Sequence, residues 1–297
     1  MAAQRPPTID PAAAPRWERA TPAQSPWLHE EVARRMEERL QWIRLQPRSW
    51  AHWEPLRGGL AAQALLERRY PQASCFVTGT RPEPARAAVE RIARPWWRRW
   101  SAPALQHGSV PAGAVQMLWA NMALHMSADP QALIAQWHRA LAVDGFLMFS
   151  CLGPDTLREL RVLYRALGWP PPAHDFTDMH DWGDMLVHAG FAEPVMDMER
   201  LVLTWESPQR LVAELRELGS NLHPARFPAL RGRSWRERLY QELARGLRKE
   251  DGRLALTFEI VYGHAVKPAP QVRLGEQSVV SLHDMRAILH SGKASPG

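Results

Sequence analysis

An acidic residue followed by a pair of glycines is the first arrangement in this chain that could bind a ligand. The stretch reads Trp53-Glu54-Pro55-Leu56-Arg57-Gly58-Gly59-Leu60 and follows an apolar run of strand character. Glycines let the backbone approach a nucleotide-like ligand, because they lack a Cβ, and a carboxylate accepts hydrogen bonds from hydroxyl groups. Glu54, Gly58 and Gly59 are therefore candidate cofactor-binding residues. The alternative is a plain turn between a strand and a helix.

The next apolar run ends in a glycine where a nucleotide-binding sheet usually has an acid. The sequence there is Gly79-Thr80-Arg81-Pro82-Glu83, and Glu83 lies at least three residues beyond the expected position. An acid at this point normally binds the ribose hydroxyls. Gly79 is a further candidate cofactor contact. The missing acid leaves open that the domain has lost its cofactor site.

Strand-like and helical segments alternate along the first half of the chain. Predicted helices cover 26–45, with Ser25 as N-cap and Pro26 at the first helical position, and 60–69, 83–92 and 130–141; predicted strands cover 49–53, 74–78, 115–120 and 146–151. Later segments predict strands at 201–205 and 254–263 and helices at 208–218 and 235–247. Such alternation predicts an α/β fold, a doubly wound and mostly parallel sheet. Ligands of these sheets bind beyond the carboxyl ends of the strands.

Several segments resemble a known family. They are the strand, Gly-Pro turn and helix of Ala142–Arg161, the loop and helix of Phe176–Phe191, and the late segments Leu215–Asn221 and Gly252–Gly263. They resemble class I methyltransferases, and more narrowly the malonyl-acyl-carrier-protein O-methyltransferases of biotin synthesis. The resemblance covers roughly residues 110–265. It implies a seven-stranded sheet whose last strand is antiparallel.

The resemblance also implies an activity, a cofactor and site residues. The family transfers a methyl group from S-adenosylmethionine to the free carboxylate of a malonyl thioester. The segment Leu118–Met126 resembles the family's strand end that borders the methyl donor and the acceptor. Asn121 within it could hydrogen-bond a ligand through its donor and its acceptor; the alternative is a capped strand end. A degenerate, non-catalytic protein that binds an acidic carrier is the second hypothesis for the whole chain.

A carboxylate acceptor needs to be held rather than activated. Its pKa of about 4 makes it a nucleophile at neutral pH, so no general base and no catalytic residue is expected. An arginine fork would hold it. Arg158 and Arg161, on the helix after Gly153-Pro154, are candidates. His180 and Asp181 could line the acceptor pocket; the alternative is that Asp178 only caps the helix that follows. A solvated helix face is the alternative for both arginines.

Composition limits the partners. The net charge is +6, almost all from arginine. A compositional bias towards arginine is the simpler explanation; the functional alternative is an acidic partner such as an acyl carrier protein. Zinc spacing, basic heptads and RNA-binding signatures are missing, so a nucleic-acid partner is not expected. The sequence has no long apolar run and no secretory signal, so it predicts a cytoplasmic protein without a membrane segment. Cys75 and Cys151 lie inside apolar runs and are predicted to be reduced core residues. No metal site is predicted.

Three segments are expected along the chain. The Ala- and Pro-rich residues 1–24 predict disorder, residues 25–266 a methyltransferase-like domain that includes an N-terminal lid helix, and residues 267–297 a mobile tail.

Overall fold

Seven strands form one sheet at the centre of the fold, within the residues that the computed structural model describes: 9–20, 22, 24–80, 82–93 and 105–270. The strands are β1 Ser49–Trp53, β2 Ser74–Thr78, β3 Leu105–His107, β4 Val115–Ala120, β5 Leu141–Leu152, β6 Ala192–Trp205 and β7 Leu254–Val266. Their order across the sheet is β3-β2-β1-β4-β5-β7-β6.

The strand directions confirm the predicted fold class. Strands β3, β2, β1, β4 and β5 pair in parallel, and β7 pairs antiparallel with both β5 and β6. The central strands are buried on both faces, as in Trp50 and Ala51 of β1, so they read as continuous apolar runs. The connection after β1 leads to β2 on one side of it in the sheet, whereas the connection after β4 leads to β5 on the opposite side. The crevice between β1 and β4 is therefore the topological switch point of the sheet.

Helices cover both faces of this sheet. They are α1 Ala14–Arg19, α2 Trp27–Arg39, α3 Pro55–Gly58, α4 Ala62–Arg69, α5 Pro82–Ala93, α6 Pro130–Ala140, α7 Arg158–Ala166, α8 Met179–His188, α9 Pro208–Leu218 and α10 Arg233–Gly246. One apolar core joins α2 and α4 to one face, through residues such as Met36, Leu66 and Trp50. The other face packs Trp137 of α6 and Trp182 of α8 against Phe149. Among the described residues, no helix is both long and apolar enough to span a bilayer.

The start of α2 differs from the sequence-based prediction. Pro26, not Ser25, occupies the N-cap position, and the cap has no side-chain hydrogen bond. The Ser25 hydroxyl instead donates to the Leu56 carbonyl at 2.9 Å and accepts from the Leu60 amide at 2.9 Å. Ser25 is therefore a link between the entry to α2 and the loop after β1, because that loop passes directly beside it.

The N-terminal segment is partly ordered. The prediction of disorder over 1–24 is wrong for residues 14–19, which form α1. Ile9, Ala13 and Ala14 are buried in a small apolar cluster with Met126 and Leu222. The Asp10 amide also donates to the Leu222 carbonyl at 2.9 Å. Burial of these side chains stabilises a helix that is too short to persist alone, which composition could not reveal.

The C-terminal segment is anchored where it leaves the sheet. The Lys267 ammonium donates to the carbonyls of His138 and Leu141, at 2.9 and 2.7 Å. Residues 271–297, which hold most of the predicted tail, lie outside the described residues. Cys75 and Cys151 are buried and are not joined in a disulfide, as expected for reduced core residues.

Candidate active site

A cavity of about 520 Å³ opens at the switch point of the sheet. We call it the switch-point cavity. Its walls come from the carboxyl ends of three neighbouring strands, from α1 and from α6. The lining residues used below are Trp17, Trp53, Glu54, Arg57, Gly79, Thr80, Met122, Ala123, Met126 and Leu133. Leu56 does not fill the cavity, because its side chain packs into the core under α2.

Glu54 reaches from the end of β1 to the end of β2. Its backbone is left-handed, with φ of 50°, which turns the side chain across the sheet edge. The carboxylate oxygen Oε1 accepts from the Thr80 amide at 2.5 Å and from the Thr80 hydroxyl. A Cβ on Gly79 would lie 2.7 Å from this carboxylate. The Glu54 carboxylate therefore lies at the tip of β2, where the sequence has no acid of its own.

Gly58 and Gly59 are required by packing rather than by the cavity. A Cβ on Gly58 would lie 2.6 Å from the Asn121 carbonyl oxygen. Gly59 has φ of 109° and lies against α2, where a Cβ would be 3.1 Å from the His29 carbonyl oxygen. Neither glycine lines the switch-point cavity. Both allow the loop after β1 to pack tightly between β4 and α2.

Asn121 follows β4 and is fully buried. Its side-chain amide donates to the His29 carbonyl at 2.8 Å and to the Gly58 carbonyl, and its side-chain oxygen accepts from the Ser150 hydroxyl at 2.5 Å. These bonds join α2, the loop after β1 and β5 at one point. They support a positioning role for Asn121, and direct contact with a ligand stays a prediction.

Arg57 fastens α1 over the switch-point cavity. Its guanidinium donates to the carbonyls of Trp17, at 2.7 Å, of Glu18, at 3.1 Å, and of Ala20. It also lies over the Trp17 ring, 3.8 Å from the centroid. The C-terminal carbonyls of a helix have no partners within the helix, so a cation there satisfies them. The sequence does not indicate this contact, because the composition of residues 1–24 predicts disorder; the aromatic Trp17 is the one available signal.

A smaller cavity of about 170 Å³ adjoins the first, and we call it the side cavity. Both cavities are lined by Trp17, Arg57, Met122 and Met126, and the side cavity is also lined by His29 and Arg216. The His29 Nδ1 lies 2.6 Å from the Arg57 carbonyl oxygen and therefore carries the proton. Burial lowers the pKa of His29 to about 4, so the ring is neutral at pH 7.

The three residues predicted to hold the acceptor lie apart from both cavities. Arg158 pairs with Glu159 at 3.3 Å on the outer side of α7. Arg161 pairs with Asp175 at 2.7 Å and donates to the His174 carbonyl at 2.7 Å. His180 is exposed in the first turn of α8. The carboxylate of Asp178 accepts from the His180 amide at 2.8 Å, which confirms the predicted helix cap. None of the three predicted acceptor residues lines the switch-point or the side cavity.

Comparison with known proteins gives the family. No family model matches the chain. A malonyl-acyl-carrier-protein O-methyltransferase of Laribacter hongkongensis is 39% identical over 259 residues, covering 83% of this chain and 84% of the relative. A protein of the same name from Gallionella capsiferriformans is 37% identical over 265 residues, covering 85% and 88%. Among solved structures, a Bacillus halodurans protein assigned as a methyltransferase matches with a TM-score of 0.51 at 14% identity, covering 80% of this chain and 100% of that one, which supports the fold. The chain belongs to the malonyl-acyl-carrier-protein O-methyltransferase family.

Proposed function

We propose that this protein transfers a methyl group from S-adenosylmethionine to the free carboxylate of a malonyl thioester carried by an acyl carrier protein, as a step of biotin synthesis. The observation that carries the proposal is the switch-point cavity, which stays open although the loop after β1 has only Gly58 and Gly59 and β2 ends without an acid. Its volume of about 520 Å³ falls in the range of about 300–1,000 Å³ that is typical of small-molecule sites. The names of the relatives supply the substrate class.

The lining of the switch-point cavity suits this cofactor. Trp53, Met122 and Leu133 offer apolar and aromatic surface for an adenine ring. The Glu54 Oε1 is engaged by Thr80, while Oε2 lies 3.9 Å from the Arg57 Nε. We assign Oε2 the role of accepting hydrogen bonds from the ribose hydroxyls, in place of the acid that β2 lacks. Gly79 leaves the room that this carboxylate needs.

The residues of the chain are needed for orientation and for exclusion of water. S-adenosylmethionine supplies a methyl group activated by a positively charged sulfur. The acceptor carboxylate has a pKa of about 4 and is already ionised, so no residue has to remove a proton. Trp17, Met122 and Met126 form apolar walls shared by the two cavities, and a dry boundary there would strip water from the nucleophile.

The side cavity suits an anionic acceptor. Arg57 and Arg216 give it positive charge against one acid in its lining, Glu217, and neutral His29 adds no third cation. Arg158, Arg161 and His180 stay candidates from sequence, although none of them lines the switch-point cavity or the side cavity. We therefore place the acceptor carboxylate between the two cavities, on the side of Trp17 and Met126.

The test is calorimetric titration with S-adenosylhomocysteine, combined with a methyl-transfer assay on malonyl-acyl carrier protein. Ala123→Trp should fill the switch-point cavity and abolish binding and turnover. Ala135→Trp, on the exposed face of α6, is the matched control and should bind as the parent does. Absence of heat from the parent at millimolar ligand would overturn the proposal, and carrier binding without cofactor binding would favour the non-catalytic alternative.

A further inference from the structure

A third cavity, of about 640 Å³, is an open groove between α7, α9 and α10. We call it the arginine groove. Its floor is apolar, with Tyr164, Leu211, Leu215, Trp235 and Leu239 among its lining residues. Arginines surround this floor. They are Arg216, Arg226, Arg231, Arg233 and Arg236.

The positive charge of this groove is largely uncompensated. Residues 216–238 hold six arginines and only two glutamates. Arg226 pairs with Asp10, and Arg231 lies over the rings of Phe227 and Trp235, at 4.2 and 4.0 Å. Within the described part of the chain, Arg233 and Arg236 form no ion pair. Unpaired arginines beside an apolar floor favour an acidic partner.

Large apolar side chains stand exposed at the same place. Leu230 is 100% exposed and Phe227 is 44% exposed, on the loop between α9 and α10. Arginines and aromatic residues around an apolar centre are typical of protein interfaces. A small anionic molecule would not need the exposed Leu230, whereas a protein surface would cover it.

The arginine groove is adjacent to the proposed methyl-transfer site. It shares Arg216 and Gly219 with the side cavity, which in turn borders the switch-point cavity. Gly219 lies at this junction, where a Cβ would be 3.3 Å from the Met126 methyl group and 3.9 Å from the Trp17 Nε1. Its φ of 163° is extended, so other residues can adopt the same backbone. The absence of a side chain at 219 keeps the junction wide.

We propose that the arginine groove is the docking surface for the acidic face of the acyl carrier protein, and that the thioester arm of the carrier passes Gly219 to reach the side cavity. This inference rests on the proposed function. Charge complementarity selects the partner, and the shared lining residues connect the surface to the reaction site. Nucleic acid, which is also anionic, is the competing occupant.

Charge reversal tests the docking surface. Arg233→Glu combined with Arg236→Glu should raise KM for malonyl-acyl carrier protein at least tenfold at low salt, with KM for malonyl pantetheine unchanged, since that thioester has no carrier. Arg44→Glu combined with Arg68→Glu is the control of equal charge change on exposed residues away from the groove. An equal KM for carrier in both double variants would overturn the inference, as would specific retention of nucleic acid by the groove in a salt-titrated filter assay.

Blocking the junction tests the path of the arm. Gly219→Val should lower kcat/KM at least tenfold for both malonyl-acyl carrier protein and malonyl pantetheine, while binding of S-adenosylhomocysteine stays within threefold of the parent. Full activity of this variant on both substrates would overturn the proposed path. If the parent protein methylates neither thioester, the proposed function itself fails. If the parent is active and the groove variants are equally active, only the docking proposal fails.

Discussion

Replacing Asn121 with alanine should destabilise the protein more than it weakens cofactor binding. The side chain makes three hydrogen bonds, to His29, Gly58 and Ser150, at a fully buried position. Each such bond contributes about 1 kcal/mol, and more where a buried group loses its only partner, so we expect a loss of about 3 kcal/mol in the free energy of unfolding. This corresponds to a fall in Tm of roughly 6–12 °C for a domain of this size.

Urea unfolding followed by tryptophan fluorescence measures the loss of stability, and calorimetry with S-adenosylhomocysteine measures binding below the transition. Asn221→Ala is a matched control, because that half-buried side chain makes two hydrogen bonds, to the Pro171 carbonyl and from the His223 amide. It should lose about half as much stability. Asn121→Asp should be worse than Asn121→Ala, since a carboxylate would face the two carbonyl oxygens.

The opposite pattern would refute this reasoning. If Asn121→Ala keeps the unfolding free energy of the parent within about 1 kcal/mol, while its affinity for S-adenosylhomocysteine falls tenfold or more, Asn121 is a ligand contact, as the resemblance alone implied. The hydrogen bonds within the protein would then be replaced when the ligand binds.

Three further predictions follow from burial and from the contacts of α1. Arg57→Met should speed limited proteolysis within residues 9–24 at least tenfold, because a six-residue helix does not persist without its anchor; an unchanged cleavage rate would contradict the anchoring role. Burial lowers the pKa of both His29 and His52 to about 4. The neutral rings therefore stabilise the fold fully above pH 6.5, and the free energy of unfolding decreases as the pH falls towards 4, by up to about 1.4 kcal/mol per pH unit for each ring. His52→Gln should therefore flatten the fall of unfolding free energy between pH 7 and 5, and an identical slope in variant and parent would exclude this cause. Burial also raises the pKa of the Cys151 thiol, so a thiol reagent should modify it only after unfolding in urea, whereas rapid labelling of the native protein would show that the core opens.

The sequence predicted the central strands with the right bounds. Strands β1, β2 and β4 end where their apolar runs end, because strands buried on both faces tolerate few polar residues. The predicted strand in the outer part of the sheet is shorter than the observed strand β6. The sequence predicted a strand at 201–205, whereas β6 begins at Ala192. Its early half carries Asp197 and Glu199, which pair with Arg39 and Arg35 of α2 at 2.8 Å each. Ion pairs with a distant helix stabilise acidic residues that look like loop residues in the sequence.

The sequence predicted that Glu54, Gly79 and Asn121 lie at the carboxyl edge of the sheet, where the structure has them, but it did not predict the orientation of their side chains. Each of them follows one of the neighbouring parallel strands β1, β2 and β4, which places all three at the carboxyl edge. Whether each side chain faces a cavity depends on residues far away in the chain. The orientation of Asn121 depends on His29 and Ser150, and that of Glu54 on Thr80.

The sequence by itself determined the fold class, the order of most elements and the family, because hydrophobic periodicity and local motifs are properties of neighbouring residues. It did not predict α1 or the short strand β3. Only the tertiary structure decided that the Glu54 carboxylate, from the end of β1, lies at the tip of β2, that α1 closes over the switch-point cavity, and that the glycine pair packs between β4 and α2. Each of these rests on contacts between segments about 25 to 65 residues apart in the chain. Sequence spacing locates the end of a strand, but it does not say what the rest of the chain places against it.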